Sequence, residues 1–326
     1  MIANRIFEPS SPGARLDAAV LAAFPTTTRA FVREAVENGG ILVDGRKAKK
    51  GMKLSGREKI EIAELPEESD LHPLAVPGGS VPEVFADEFL LAYDKPAGMP
   101  VQPLSRTETG TLMNQVVADH PECAFAGDDP LMAGALHRID AGTSGLVLVA
   151  RTKEVFAAVR DQFAAKSVTK TYLALVEGLV EEGGVLEDDL VHDPRQKQCK
   201  MLSMKDGLVV SMPRRAWRPL HAVTRFRPVS HARRECEDLT LLEVTIETGV
   251  THQIRAQLAA AGMHIVNDRL YGAFAVEGMA GHRLHALAAE LNHPATGERI
   301  KIATPPPSWA GPGEGNPGFE KFDIDF

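Results

Sequence analysis

HRIDAGTSGLVLVA, residues 137–150, sets a charged His-Arg-x-Asp tetrapeptide and a small polar turn directly against an unbroken apolar run. The run from Leu146 to Ala150 is short and rich in branched side chains, so it reads as a buried strand. Asp140 then stands at the mouth of that strand, where burial and a cationic neighbour act in opposite directions on a carboxylate's ionisation. An active site would use that balance. The plainer alternative is that Asp140 caps a turn with Thr143 or Ser144.

Working outward, KEVFAAVRDQFAAK repeats Val155, Phe156, Val159 and Phe163 on one helical face, and KTYLALVEG then alternates as a strand. AVTRFRPV and LTLLEVTIETG read as further strands, THQIRAQLAAAG has helical spacing, and VFADEFLLAYDKPAG reads as one strand closed by a turn. Towards the N-terminus, RLDAAVLAAF places Leu16, Ala19, Val20, Ala23 and Phe24 at helical spacing and Pro25 ends it. TTTRAFVREAVENGG predicts a second helix with a Thr N-cap, and Asp44-Gly45 suits a tight turn between extended pieces. Strands dominate and helices are interspersed without strict alternation, which points to an α+β fold. The expected division is a small α/β module over residues 1–65, a Pro- and Gly-rich linker over 66–83, a large mixed, mainly antiparallel sheet domain over 84–310, and a C-terminal tail over 311–326.

The 326 residues suffice for one large domain or two ordinary ones. No apolar run is long enough to span a bilayer, and the first residues lack the basic flank and apolar stretch of a signal peptide, so a cytoplasmic, membrane-free protein is expected. The three cysteines, Cys123, Cys199 and Cys236, are widely spaced and suggest neither a disulfide framework nor a zinc site. Net charge is -8, yet two segments run against it. One holds Arg29, Arg33, Arg46, Lys47, Lys49, Lys50, Lys53, Arg57 and Lys59; the other, residues 193–234, holds eleven Lys and Arg against Asp193 and Asp206. Charge acts over about 10 Å, so such segments can form local phosphate-binding patches or simply solvated faces.

Two more constellations could carry chemistry. In ETGVTHQIRAQLAAAGMHIVNDRLYG, Arg255 stands on a helix with Ile254 and Leu258 on its apolar side; a planar guanidinium can hold a carboxylate or phosphate at two points, or merely decorate a surface helix. Tyr172 offers a flat face for stacking on a base, or plain core packing. Histidines are plentiful in the C-terminal half without ligand spacing, and dinucleotide, triphosphate and serine-hydrolase signatures are missing. No metal or nucleotide cofactor is expected.

Taken together, LLAYDKPAGMPVQP, GALHRIDAGTSGLVLVART, KTYLALVEG, TGVTHQIRAQLAAAGMHIVNDRLYG and RLHALAAELNHPATGE resemble, in this order, the motifs of the RluA-type pseudouridine synthases over about residues 84–307. The N-terminal module resembles the S-four type of RNA-binding domain. The resemblance implies a pseudouridine synthase-like fold and isomerisation of specific uridines in structured ribosomal or transfer RNA, without a cofactor. Asp140 would be the catalytic carboxylate acting on a flipped-out uridine, Tyr172 would lie against the base near the C5 proton, and Arg255 would pair with Asp140. His137, Arg138, Thr143, Ser144, His252 and Gln253 from the two boxes would contact substrate, with Leu284 as an apolar wall. Arg29, Arg33, Arg46, Lys47, Lys49, Lys50 and Lys53 would bind RNA. A monomer is expected, as no apolar helix repeat advertises a partner surface.

The chain departs from the family pattern in three places. Ala141-Gly142 stands where a Lys-acid pair is common, Val250 where a basic residue is common, and Gln102 where a His is usual. Two rival readings are a non-catalytic RNA-binding or ribosome-assembly protein and, resting on the histidines alone, a metal-dependent hydrolase.

Overall fold

The computed structural model describes residues 1–9, 11–193, 200–205, 218–234, 237–276 and 278–310. The expected tail 311–326, Cys199 and Cys236, and Arg195, Lys197, Arg214 and Arg215 of the second basic segment lie outside the described residues. Two compact units separate between Pro73 and Leu74, with 104–106 grouping with the first.

The first unit is built from β1 (Ile2–Phe7), α1 (Leu16–Ala23), α2 (Arg29–Glu37), β2 (Ile41–Val43), β3 (Arg46–Lys47) and β4 (Ile60–Leu65). The strands form an antiparallel sheet in the order β1-β4-β2-β3. Thr28 caps α2 by accepting from the Phe31 N–H at 3.3 Å. Asp44 (φ 50°) and Gly45 (φ 72°) make the tight turn between β2 and β3, a conformation that aspartate and glycine adopt at little cost. Leu16 and Val20 of α1 and Phe31 and Val32 of α2 close over Ile41, Ile60 and Ile62, giving this unit its own core. The stretch expected as a linker is shared out. Its first part folds onto this unit, with the Thr27 hydroxyl donating to the Pro66 carbonyl at 2.5 Å. Its last part joins the second unit, where the Val81 N–H donates to Gln115 Oε1 at 3.0 Å.

The second unit carries β5 (Glu83–Ala86), β6 (Leu90–Lys95), α3 (Leu112–Asp119), β7 (Ser144–Ala150), α4 (Lys153–Ala164), β8 (Thr169–Glu177), β9 (Gly184–His192), β10 (Met201–Ser203), β11 (Leu220–Arg234), β12 (Glu237–Ile246), α5 (Gln253–Ala260), β13 (Leu284–Asn292) and β14 (Arg299–Ala303). Its strands form one sheet in the order β10-β9-β11-β12-β8-β13-β7-β6-β5, with β14 paired to β13. Every described pairing is antiparallel except β13 with β7, which meet in parallel at His285↔Ser144 and Ala286↔Gly145. From Gly145 onward β7 is buried at every position, which is why its sequence is apolar without alternation. α4, capped by Thr152, packs on it.

Two expectations need correction. The single strand read over VFADEFLLAYDK is two strands, β5 and β6, because Asp87 turns the chain by accepting from the Phe89 and Leu90 N–H groups, each at 2.7 Å. And α5 is no half-exposed helix: Gln253, Ile254, Arg255, Ala256, Gln257 and Leu258 are all buried, the helix packing against β9, β10 and β11. Its polar side chains are satisfied inside. Gln257 donates to the Leu186 and Ala222 carbonyls at 3.1 and 3.0 Å and accepts from Thr224 Oγ1 at 2.6 Å.

Gly145 (φ 109°) lets β7 come against β13, since a Cβ there would run into the backbone of Ala286. Gly145→Ala combines a disfavoured backbone conformation with that clash, and an expected loss of about 3 kcal/mol or more follows. Urea unfolding checks it: a loss under about 1 kcal/mol would mean that the parallel contact is not constrained as described.

Candidate active site

Asp140 is presented by a turn held from below. The Thr143 N–H donates to the Asp140 carbonyl at 3.0 Å and closes the turn. Lys95, at the end of β6, is fully buried, and its ammonium donates to the carbonyls of Thr143 (2.6 Å), Met99 (2.8 Å), Pro96 (2.9 Å) and, more weakly, Ala141 (3.4 Å). Burial pushes Lys95 down to about 8, opposed by the charges of Asp140 and Asp94. From the other side, Thr143 Oγ1 and His282 Nε2 lie 2.7 Å apart, and a Cβ on Gly142 would come within 2.9 Å of the His282 ring. At one position of the expected charged pair, therefore, a side chain would displace the His282 ring from its place against Thr143.

The carboxylate of Asp140, 26% exposed, receives Arg255 Nη1 on Oδ2 at 2.7 Å. Arg255 is itself 8% exposed and forks onto Asp268, which is 1% exposed, through Nε at 2.7 Å and Nη2 at 2.8 Å. Burial works against the charge of Arg255, but the hydrogen bonds of Asp268 and the charge of Asp140 outweigh it and hold the guanidinium well above its ordinary value. The guanidinium lies 5.1 Å from the centre of the Tyr271 ring. The Tyr271 hydroxyl accepts from the Met201 N–H at 2.9 Å and lies 3.1 Å from His252 Nδ1. His252, in the left-handed region (φ 54°) at the start of α5, brings Nε2 to 3.7 Å from Asp140 Oδ2. Burial lowers its pKa, with Asp140 opposing, so its ring is mostly neutral at pH 7.

Tyr172 lies in β8 between Val244 of β12 and Ala286 of β13. Burial first, and then the charge of Asp140, raise its phenol far above the ordinary tyrosine value, so it remains a neutral hydroxyl. Leu284 belongs to the same buried cluster. Asp140, Arg255 and His252 thus meet, with Tyr172 within their electrostatic reach and Thr143 in the supporting turn.

Other residues expected at the site are engaged elsewhere. His137 Nε2 accepts the Leu148 N–H at 3.1 Å and so pins the loop to β7. Ser144 Oγ sits 2.9 Å from His285 Nδ1, whose Nε2 is 2.9 Å from Thr304 Oγ1. Gln253 accepts from Thr248 Oγ1 (2.8 Å) and the Val250 N–H (3.2 Å) and donates to Val223 O and Thr224 Oγ1 (both 3.0 Å). That uses its amide fully and locks the start of α5 to β11. Arg138 is exposed, with Nη1 3.5 Å from Gln102 Oε1. Asp268, Tyr271, Lys95 and His282 were missed by sequence reasoning. Asp268 and Tyr271 lie within VNDRLYG, where only the proximity of an acid to the arginine box hinted at a pair.

In the first unit, Arg15, Arg29, Arg33, Lys49 and Lys50 line one hollow of about 300 Å³ together with Leu16 and Val36. Arg46, Lys47 and Lys53 are exposed but do not line it. The described part of the second basic segment is partly spent internally. Arg227 forks onto Glu243 at 2.8 and 2.9 Å, Lys205 donates to the Glu187 carbonyl at 2.8 Å, and Lys200 lies 5.3 Å over the Tyr271 ring.

Comparison with known proteins places both units of the chain in recognised families. The family described as RNA pseudouridylate synthase matches residues 89–260, and the S4 domain matches residues 14–60. The chain is 32% identical over 312 residues to the ribosomal large subunit pseudouridine synthase D of Xanthomonas campestris pv. campestris, covering 91% of this chain and 87% of that protein. It is 31% identical over 309 residues to the protein of the same name from Pseudomonas aeruginosa, covering 90% and 89%. A solved structure, human RNA pseudouridylate synthase domain containing 1, superposes with a TM-score of 0.57 over 71% of this chain and 86% of that one at 22% identity, a likeness of fold.

His282 and His285 are both pushed from 6.5 down to about 4 by burial. The folded state therefore holds neutral rings where the unfolded chain binds protons. Their contribution is complete above pH 6.5 and lost as pH falls towards 4, by about 1.4 kcal/mol per pH unit for each ring. Urea unfolding between pH 7 and 4.5 should show that slope, and His285→Gln should lower it by about one proton. An unchanged slope in the variant would refute the assignment.

Proposed function

The chain belongs to the RNA pseudouridylate synthase family, and from that premise we propose that it isomerises a uridine of large-subunit ribosomal RNA, with Asp140 as the catalytic carboxylate. The observation that carries the residue assignment is the partly open carboxylate of Asp140 held at 2.7 Å by a buried arginine, inside the matched segment. The names of the relatives favour ribosomal RNA over transfer RNA, and we propose that the protein works on it in the cytoplasm as a monomer.

The reaction breaks the bond from the ribose C1′ to the uracil N1 and forms one from C1′ to C5. C5 loses its proton and N1 ends protonated, so no external atom is consumed. Asp140 acts on the flipped nucleotide, as attacking group or as stabiliser of developing positive charge, while Arg255 fixes its position. Tyr172, kept as a neutral phenol, lies against the base and takes part near the C5 proton. Thr143 acts indirectly, by keeping the turn in register through His282. Arg138, exposed beside Gln102, is available to the RNA around the target.

Extracting a uridine from structured RNA costs a few kcal/mol. Phosphate contacts from the basic hollow of the S4 unit would offset it, with Arg29, Arg33, Lys49 and Lys50 as the principal groups. On this reading the small unit holds RNA and the large one performs the chemistry.

Release of tritium from C5-labelled ribosomal RNA, made without native modifications, tests the activity, with EDTA present throughout. Wild type should release it, and Asp140→Asn should be slower by at least about 10³-fold while RNA affinity stays within about threefold. Equal rates would sink the role of Asp140. Arg29→Ala with Lys50→Ala should weaken RNA binding and reduce the slope of log affinity against log salt by about 1 to 2. An unchanged slope would remove the hollow from the RNA interface.

A further inference from the structure

Arg255 serves two carboxylates at once, and they are not used alike. Asp268 takes the edge formed by Nε and Nη2 at 2.7 and 2.8 Å, in the two-point geometry that best satisfies a guanidinium. Asp140 receives only Nη1, at 2.7 Å, on Oδ2. Among the described residues, Asp140 Oδ1 accepts no hydrogen bond. One carboxylate is thus buried and fully engaged, and the other is partly open with one oxygen uncommitted.

Resting on the reading that Asp140 acts on the uridine, we infer that Asp268 is a positioning residue for the reaction: it occupies the forked edge of Arg255 and so denies that edge to Asp140. Three consequences follow from the geometry. The guanidinium is held in one orientation, because Nε and Nη2 are committed to Asp268 and Nη1 to Asp140, with the Tyr271 ring centre 5.1 Å away. Two negative charges share one positive charge, so Asp140 is held without a cation of its own. And Oδ1 stays free of any hydrogen bond among the described residues, whereas a two-point Arg255–Asp140 pair would engage both oxygens and leave neither uncommitted for the substrate. Asp268 touches no reacting atom; it acts through Arg255.

A structural role alone would also explain a buried acid beside an arginine, since an unpaired buried charge is costly. The two roles differ in what they move. Positioning predicts that Asp268→Asn, which keeps the shape of the side chain, lowers kcat by about 30-fold or more while KM and RNA affinity stay within about threefold. It further predicts that the effect passes entirely through the arginine. The pair Arg255→Met with Asp268→Asn should be no slower, within about threefold, than Arg255→Met alone.

The experiment measures kcat and KM by tritium release, RNA affinity by filter binding and thermal midpoints for wild type, the three variants and Asp268→Glu. The glutamate variant keeps the charge but displaces it by one methylene, so reduced kcat at unchanged KM is expected, and it stands in if the asparagine variant does not fold. Asp268→Asn within about threefold of wild-type kcat, or a double variant slowed by the product of the two single effects, would overturn the role. So would full activity of Asp268→Glu. Absence of turnover by the wild type is a different result: it would overturn the proposed activity itself.

Discussion

One guanidinium shared by two carboxylates is the interaction on which the rest depends. Asp140 comes from a turn 115 residues before the helix that carries Arg255, Asp268 from a short loop 13 residues after it, and Arg255 and Asp268 are removed from water. Buried charge is tolerated only when its hydrogen-bonding capacity is met, so this trio demands that all three segments be placed together. The polar residues of α5 meet that demand. Gln253 and Gln257 donate their amides to β9 and β11, fixing the helix that carries Arg255. A helix this buried and this polar is stable only where its partners are already in place.

The turn that carries Asp140 shows the same economy. Lys95 gathers four carbonyls beneath it, and Gly142 lets the His282 ring approach from the other side. β7 behind it is apolar along its buried length and sits between β6 and β13, so the carboxylate is mounted at the end of a buried strand paired on both sides. A carboxylate in the proposed role would gain from such mounting, because its geometry is fixed before substrate arrives. The first unit has a different character: its core is separate, and several basic side chains line a hollow in a chain whose net charge is -8. Affinity for phosphate is a local property, and the average charge conceals it.

Much of this was legible in sequence. The buried strand, the helix at 153–164, the strand carrying Tyr172 and both N-terminal helices follow from the period of their apolar residues, which is a property of each segment alone. The order of the boxes carried the family, and through it Asp140, Tyr172 and Arg255. Less was legible where burial is set by distant partners. β9 holds Glu187, Asp188 and Asp189 and does not look like a strand, yet β11 and β10 pair on its two sides. α5 looked half exposed because glutamines read as surface residues until their acceptors are known.

By itself the sequence determined the α+β class, the small basic module ahead of a large sheet domain, and the residue types of the site, since these rest on local periodicity and on motifs contiguous in the chain. The tertiary structure alone decided that Asp268 completes the charge cluster, that His137 and Gln253 serve the backbone, that Gly142 leaves room for a histidine, and which basic residues share a hollow. Those facts concern atoms a few ångströms apart in space whose residues lie from 11 to about 140 positions apart in sequence. No period or spacing encodes such a pair; only the folded chain brings its members together.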